Sequence, residues 1–309
     1  MKKLYSRRVF TGSILLAGAG TTLMPLAAVK KTNPPARYSN DPLKLSLNAY
    51  SFNGPLTKGE MSLDDLLDYC SATGFDAVDV TGYYFPGYPE VPSDEIIYHV
   101  KRKAFRLGLG ISGTGVRNDF TWPDPSKRAK EKQLVKDWIV VAEKLGAPLL
   151  RIFAGNQLSD NIAWDEKAKW IADDIRECAE FGKAHGVMMA LQNHFDFLKT
   201  PGQVEKLLEM TASEWTGLLL DIGSYRSADP YSDVAQTAAH AISWQLKEKV
   251  YLNEKQVDTD YSKILGIVRQ CGYRGYLPLE TLGEGDPKTK VKLLLEKVRN
   301  ALEITQPKQ

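Results

Sequence analysis

Val187-Met188-Met189-Ala190-Leu191-Gln192-Asn193 and Gly217-Leu218-Leu219-Leu220-Asp221-Ile222 are two short apolar runs that end in polar residues, and residues 201–210 between them carry helical spacing. Continuous apolar runs of this length suit strands covered on both faces, as in a parallel sheet, and two parallel strands need a crossover such as this helix to join them. The same unit repeats in both directions along the chain. Strands are expected near 44–49, 77–81, 109–114, 149–153, 187–193, 217–222, 242–246 and 276–280, and helices near 62–73, 94–107, 126–145, 164–184, 201–210, 231–239, 259–271 and 286–303. Ser62 and Asp64 are start signals, and Gly74, Gly146, Gly186 and Gly272 are stop signals for four of these helices. Eight βα units predict an α/β chain folded as a single-domain (β/α)₈ TIM barrel over residues 44–309. A doubly wound open sheet would call for a glycine-rich phosphate turn after an early strand, and the sequence has none.

A barrel of this kind presents its chemistry at the carboxyl ends of its strands. The last four strands end in Leu191-Gln192-Asn193-His194, Leu220-Asp221-Ile222-Gly223, Trp244-Gln245-Leu246-Lys247-Glu248 and Leu279-Glu280-Thr281. Taken singly, Asp221 suits a strand-end cap and Glu280 a partner for a barrel arginine. Their recurrence in four consecutive units points to a shared cation, since a buried carboxylate needs neutralisation. Asp221 and Glu280, with the amide oxygens of Gln192 and Gln245, would form an oxygen-rich set for a divalent ion, Mn²⁺ or Mg²⁺ rather than Zn²⁺. Residues two apart on a strand share a face, so His194 is expected above Gln192 and Lys247 above Gln245, nearer the mouth. His194 and Glu280 are the candidate acid–base groups, and Lys247 the candidate donor to an enolate oxygen. Tyr50, Asn118, Arg151, Phe153, Trp244 and Arg226 are the candidate substrate contacts, with Tyr83 and Tyr84 as possible walls. His99, His185 and His240 lie on or beside helices and carry no such expectation.

Ser6-Arg7-Arg8-Val9-Phe10-Thr11 precedes an apolar run from Ile14 to Leu26, which reads as a twin-arginine export signal over residues 1–28 and so as periplasmic or exported destination. Gly18, Gly20 and Pro25 break the run, so no stable membrane insertion of the mature chain is expected. Residues 29–43, with Pro34, Pro35 and Pro42, have linker composition. Removing the signal takes four bases and no acids, so 36 basic face 38 acidic residues and the formal charge changes from +2 to −2. Such a balance gives no electrostatic footprint for nucleic acid. Cys70, Cys178 and Cys271 are scattered over helical segments, which favours packing over disulfides or zinc ligation.

The quoted strand ends, with Gly272-Tyr273-Arg274-Gly275-Tyr276 running into Leu279-Glu280, resemble the sugar phosphate isomerase/epimerase family. These are the xylose isomerase-like barrels, which also include ketose 3-epimerases, inosose dehydratases and endonuclease-IV-type nucleases. The resemblance covers roughly residues 44–303. It implies a Glu–Asp–His–Glu set around a Mn²⁺-type ion, and the matching positions are Gln192, Asp221, Gln245 and Glu280. Two of the four depart from the pattern. In the ketose epimerases the two glutamates also act as opposed acid and base, and an amide cannot take a proton. The resemblance therefore implies a sugar isomerase/epimerase-like enzyme working by proton abstraction beside a carbonyl. Two alternatives stand beside it: a deglycosylating 3-keto-glycoside lyase on the same fold, and a noncatalytic periplasmic sugar-binding barrel. Export favours a non-phosphorylated sugar or glycoside as the partner.

Overall fold

Eight of the expected strands close on one another in the computed structural model, which describes residues 43–155, 161–194 and 196–305. They are β1 (Lys44–Asn48), β2 (Ala77–Asp79), β3 (Gly110–Gly115), β4 (Leu149–Ile152), β5 (Met188–Gln192), β6 (Thr216–Asp221), β7 (Ala241–Lys247) and β10 (Tyr276–Glu280). The order around the closed parallel barrel is β1-β10-β7-β6-β5-β4-β3-β2. The expected helices are α2 (Leu63–Thr73), α3 (Asp94–Arg106), α4 (Pro125–Leu145), α5 (Trp164–His185), α6 (Pro201–Thr211), α7 (Pro230–Thr237), α8 (Tyr261–Gln270) and α9 (Pro287–Ile304). The expected export segment 1–28 and the expected linker, save Leu43, lie outside the described residues. No described helix is long and apolar enough to cross a membrane.

Helix ends follow the local chemistry that the sequence advertises. Ser62 accepts from the Asp65 amide while the Asp65 carboxylate accepts from Ser62, a reciprocal cap that satisfies two orphan donors. Gly74, Gly146 and Gly186 end α2, α4 and α5 in the left-handed region, where a Cβ would be strained. Most strand residues are buried because both faces of the barrel wall are covered. Leu218 and Leu220 of β6 pack outward beneath the helices, whereas Leu219 joins Leu149 and Ala190 in a small cluster inside the barrel. Burial of each such leucine contributes roughly 2 kcal/mol. β3 is glycine-rich for a spatial reason: a Cβ on Gly115 would come within 2.8 Å of Arg151 Nε, so the glycine leaves room for that side chain.

One helical turn and one hairpin went unforeseen. α1 (Asn53–Thr57) is a single turn after β1, and β8 (Lys249–Leu252) with β9 (Lys255–Asp258) forms an antiparallel hairpin after β7. Its two-residue turn, Asn253-Glu254, has positive φ at both positions, the geometry that matches strand twist. Between β6 and β7 the register runs Leu218↔Ala241 and then Leu219↔Ser243, so Ile242 is bulged. Ile242 packs with the inner cluster, and past the bulge Gln245 and Lys247 also face the interior.

Candidate active site

A cavity of about 250 Å³ opens at the carboxyl ends of the barrel strands. Gln192, Gln245, Lys247 and Glu280 form one side of it, and Tyr50, Asn118, Arg151, Phe153 and His194 line the rest. With Tyr83, ten of the residues expected from the strand ends thus share one pocket. Asp221 is buried beside them, 2 % exposed.

The interior registers explain how the charged groups meet. Asp221 is level with Gln245, and Glu280 is level with Lys247, two residues further along β7. Lys247 does not extend to the mouth. Its ammonium lies 3.2 Å from Asp221 Oδ2 and also bonds to Glu280 Oε2, so it bridges the two carboxylates. Gln192 Nε2 donates to Asp221 Oδ2 (2.8 Å), the Gly223 amide donates to Asp221 Oδ1 (2.9 Å), and Gln245 Nε2 donates to Glu280 Oε2 (2.5 Å). Burial pushes the Lys247 ammonium below its ordinary pKa, while the adjacent Asp221 carboxylate pulls it back up.

This arrangement does not fit the divalent ion expected at these four residues. The amide groups turn their N–H₂ ends toward the carboxylates, because an amide oxygen there would meet another oxygen's negative charge, and the ammonium lies between the two acids.

His194 follows β5 rather than extending it, since its amide turns back to the Gln192 carbonyl. Its Nδ1 lies 2.7 Å from Asp196 Oδ2 and its ring meets the Phe153 ring edge-on. A carboxylate at Nδ1 requires the proton there and makes Nε2 the basic nitrogen, the same orienting logic as in a catalytic dyad. Arg151 lies over Phe153, 4.4 Å from the ring centroid, and donates to Tyr83 Oη (2.9 Å) and the Val116 carbonyl (2.8 Å). Asn118 lines the cavity, but its side chain pairs with both the amide and the carbonyl of Phe153, and so joins the β3 and β4 loops. Asn193 joins the β5 and β6 ends in the same way through the Asp221 backbone.

Two expected substrate contacts are corrected. Trp244 sits between two inward-facing residues and therefore points outward; it is fully buried against Tyr273, with ring centroids 6.2 Å apart. Arg226 is engaged by the unforeseen hairpin, stacking on Tyr251 at 4.4 Å and reaching Glu254 at 3.5 Å. Arg226→Ala is expected to change ligand affinity at the cavity by less than about twofold while speeding amide exchange across 249–258, and a large affinity loss would return this arginine to the site. Sequence reasoning missed Asn48, Arg117, Gly155, Asp196 and Leu282, all of which line the cavity. Asn48 ends β1 and was within reach of the strand-end rule, and Asp196 follows His194 by two residues. The other three sit in loops and carried no signal.

Deeper in the barrel, burial pushes the Asp79 carboxyl up to about 6, with the Arg151 guanidinium opposing. A carboxyl whose folded pKa is raised favours the fold below its unfolded pKa, and that contribution is lost as pH rises through about 6. The loss is roughly 3 kcal/mol. Urea unfolding should therefore show wild-type stability falling between pH 4 and 7 relative to Asp79→Asn; parallel profiles would show that the Asp79 carboxyl titrates normally.

The fold and the cavity define a class: an α/β barrel with a cavity lined by polar, charged and aromatic side chains at the carboxyl ends of its strands. The chain belongs to the xylose isomerase-like TIM barrel family, whose profile matches residues 67–301. Among solved structures it is similar to D-psicose 3-epimerase with D-tagatose from Clostridium cellulolyticum H10, at 16% identity and TM-score 0.68, over 85% of this chain and 98% of that one. It is likewise similar to an L-ribulose 3-epimerase (18% identity, TM-score 0.67, 86% and 99% covered). A third is 3-keto-D-glucoside 4-epimerase from E. coli (12% identity, TM-score 0.67, 84% and 100% covered). At these identities the likeness is one of fold. No curated protein sequence matches the chain.

Proposed function

We propose that this protein is an enzyme of carbonyl-adjacent proton transfer on a non-phosphorylated sugar, acting as an isomerase or epimerase after export by its twin-arginine segment. The observation that carries this reading is the presence, around one cavity, of an oriented His194–Asp196 pair and the Lys247 ammonium. His194 Nε2 removes the proton next to the sugar carbonyl, and Lys247 donates to the oxygen that becomes an enolate. Phe153 and Tyr50 offer apolar faces to the sugar ring, and Arg151 a fixed donor. The sugar epimerases among the similar solved structures lend the reading further support.

One observation favours a second outcome for the same first step. At the position where the family resemblance implies a glutamate able to exchange a proton, this chain carries Gln192, whose amide is bonded to Asp221. Elimination from a 3-keto-glycoside needs only one base: the enolate expels the glycosidic oxygen from the neighbouring carbon, and the protonated base returns the proton it took, so that the alcohol leaves and the base is restored. Proton NMR in D₂O with a panel of ketoses and 3-keto-glycosides tests both. Deuterium uptake beside the carbonyl is expected, a new sugar isomer marking the isomerase and aglycone release the lyase. Sugar binding with no uptake by any panel member would leave the noncatalytic binder.

A further inference from the structure

We propose that the Lys247 ammonium is the resident cation of this site, occupying the point between Asp221 and Glu280 at which a divalent ion would otherwise bind, so that the barrel polarises its substrate without a metal. Displacement of the ion stands on geometry alone; the role at the carbonyl rests on the reading above.

Three features converge on this point. First, the ammonium contacts both acids at once, 3.2 Å from Asp221 Oδ2 and hydrogen-bonded to Glu280 Oε2, and its side chain is only 12 % exposed. Second, each acid is held by a glutamine that donates to it: Gln192 to Asp221 and Gln245 to Glu280. To ligate an ion, both amides would have to break these bonds and rotate their oxygens inward, and the two acids would again be unneutralised by donors. An anionic or imidazole side chain at either position would suit an ion; a glutamine suits a lysine-centred network. Third, the charges already balance to within one: two carboxylates, one ammonium. A dication added beside that ammonium would meet like charge at short range in a poorly solvated interior.

An ammonium has three N–H donors, and the two carboxylates account for two of them. Lys247 also lines the cavity, so its third proton is placed to serve a substrate oxygen. A fixed cation of this kind is preorganised: its charge is neutralised and positioned by the protein before substrate arrives. It also needs no metal to be loaded before or after export.

The test is a Mn²⁺ titration of chelator-dialysed protein, followed by the electron paramagnetic resonance signal of free aqueous Mn²⁺. Wild-type protein is expected to leave the signal undiminished, whereas Lys247→Met, which exposes both acids to the vacated position, takes up one equivalent at least about tenfold more tightly. Its unfolding midpoint then rises with added Mn²⁺, as binding to the folded form requires. Wild-type uptake of one equivalent that Asp221→Asn removes would overturn the proposal, as would a folded Lys247→Met that ignores Mn²⁺. If Lys247→Met does not fold, the wild-type titration decides by itself. Failure of every sugar to exchange deuterium would refute the proposed activity and leave these Mn²⁺ results standing, so the two readings fail separately.

Discussion

Lys247→Ala is expected to lower the stability of the metal-free protein by about 4 kcal/mol, because it strands two buried carboxylates that share one ammonium. For a chain of this size that loss corresponds to a fall of roughly 10 °C in the unfolding midpoint. The magnitude follows from asymmetry. A buried pair adds little over a well-packed apolar replacement, but removal of one partner leaves the other desolvated and uncompensated. The gap left by the four-carbon stem is a smaller term. The control is the triple variant Lys247→Met, Asp221→Asn, Glu280→Gln, which removes all three charges and should recover most of the loss. Calorimetry of the single and triple variants checks this; equal midpoints in Lys247→Ala and wild type would mean that Lys247 does not bridge the two acids.

The second large effect is kinetic. His194→Ala is expected to reduce deuterium uptake beside the sugar carbonyl by about 10²- to 10⁴-fold, the span for loss of a positioned general base. Sugar affinity should change little, since Arg151, Phe153 and Tyr50 still line the pocket. Asp196→Asn should give a smaller loss, because an amide keeps a hydrogen bond to Nδ1 but no longer stabilises the imidazolium. Exchange that survives His194→Ala at the wild-type rate would move the base to Glu280, the other acid–base group named by the strand ends. The two groups separate cleanly by experiment: His194 substitution changes rate with little change in stability, whereas disturbance of Glu280 removes a partner of Lys247 and changes both.

How much of this was legible in advance depended on the range of the interactions involved. The residues that end strands were readable, and Gln192, Asp221, Gln245 and Glu280 do gather at one site. What they do together was not. The expectation of a shared cation rested on charge, and charge does not distinguish a divalent ion from an ammonium. His194 was correctly placed in the cavity, yet its partner Asp196 was overlooked, since the strand-end rule stops where the strand does. Trp244 was named through its neighbours on β7, although strict alternation between Trp244 and Gln245 sends it to the helical side. Arg226 lay in a loop whose surroundings were set by the hairpin of β8 and β9, and the sequence reading left that hairpin out.

The sequence by itself determined the alternation of eight strands and eight helices, the caps that end them and the polar residues that each strand carries to its carboxyl end. Those features depend on local periodicity, backbone preference and side-chain chemistry, which act within a few residues. The tertiary structure decided the rest. The bulge at Ile242 sets which face of β7 turns inward, and the stagger of β6, β7 and β10 brings Lys247 level with Glu280 and within reach of Asp221. Register between strands is fixed by closure of the whole barrel, a condition that no short segment contains. The identity of the cation between those two acids is therefore a property of the closed barrel, although every residue that builds it stands in plain view along the chain.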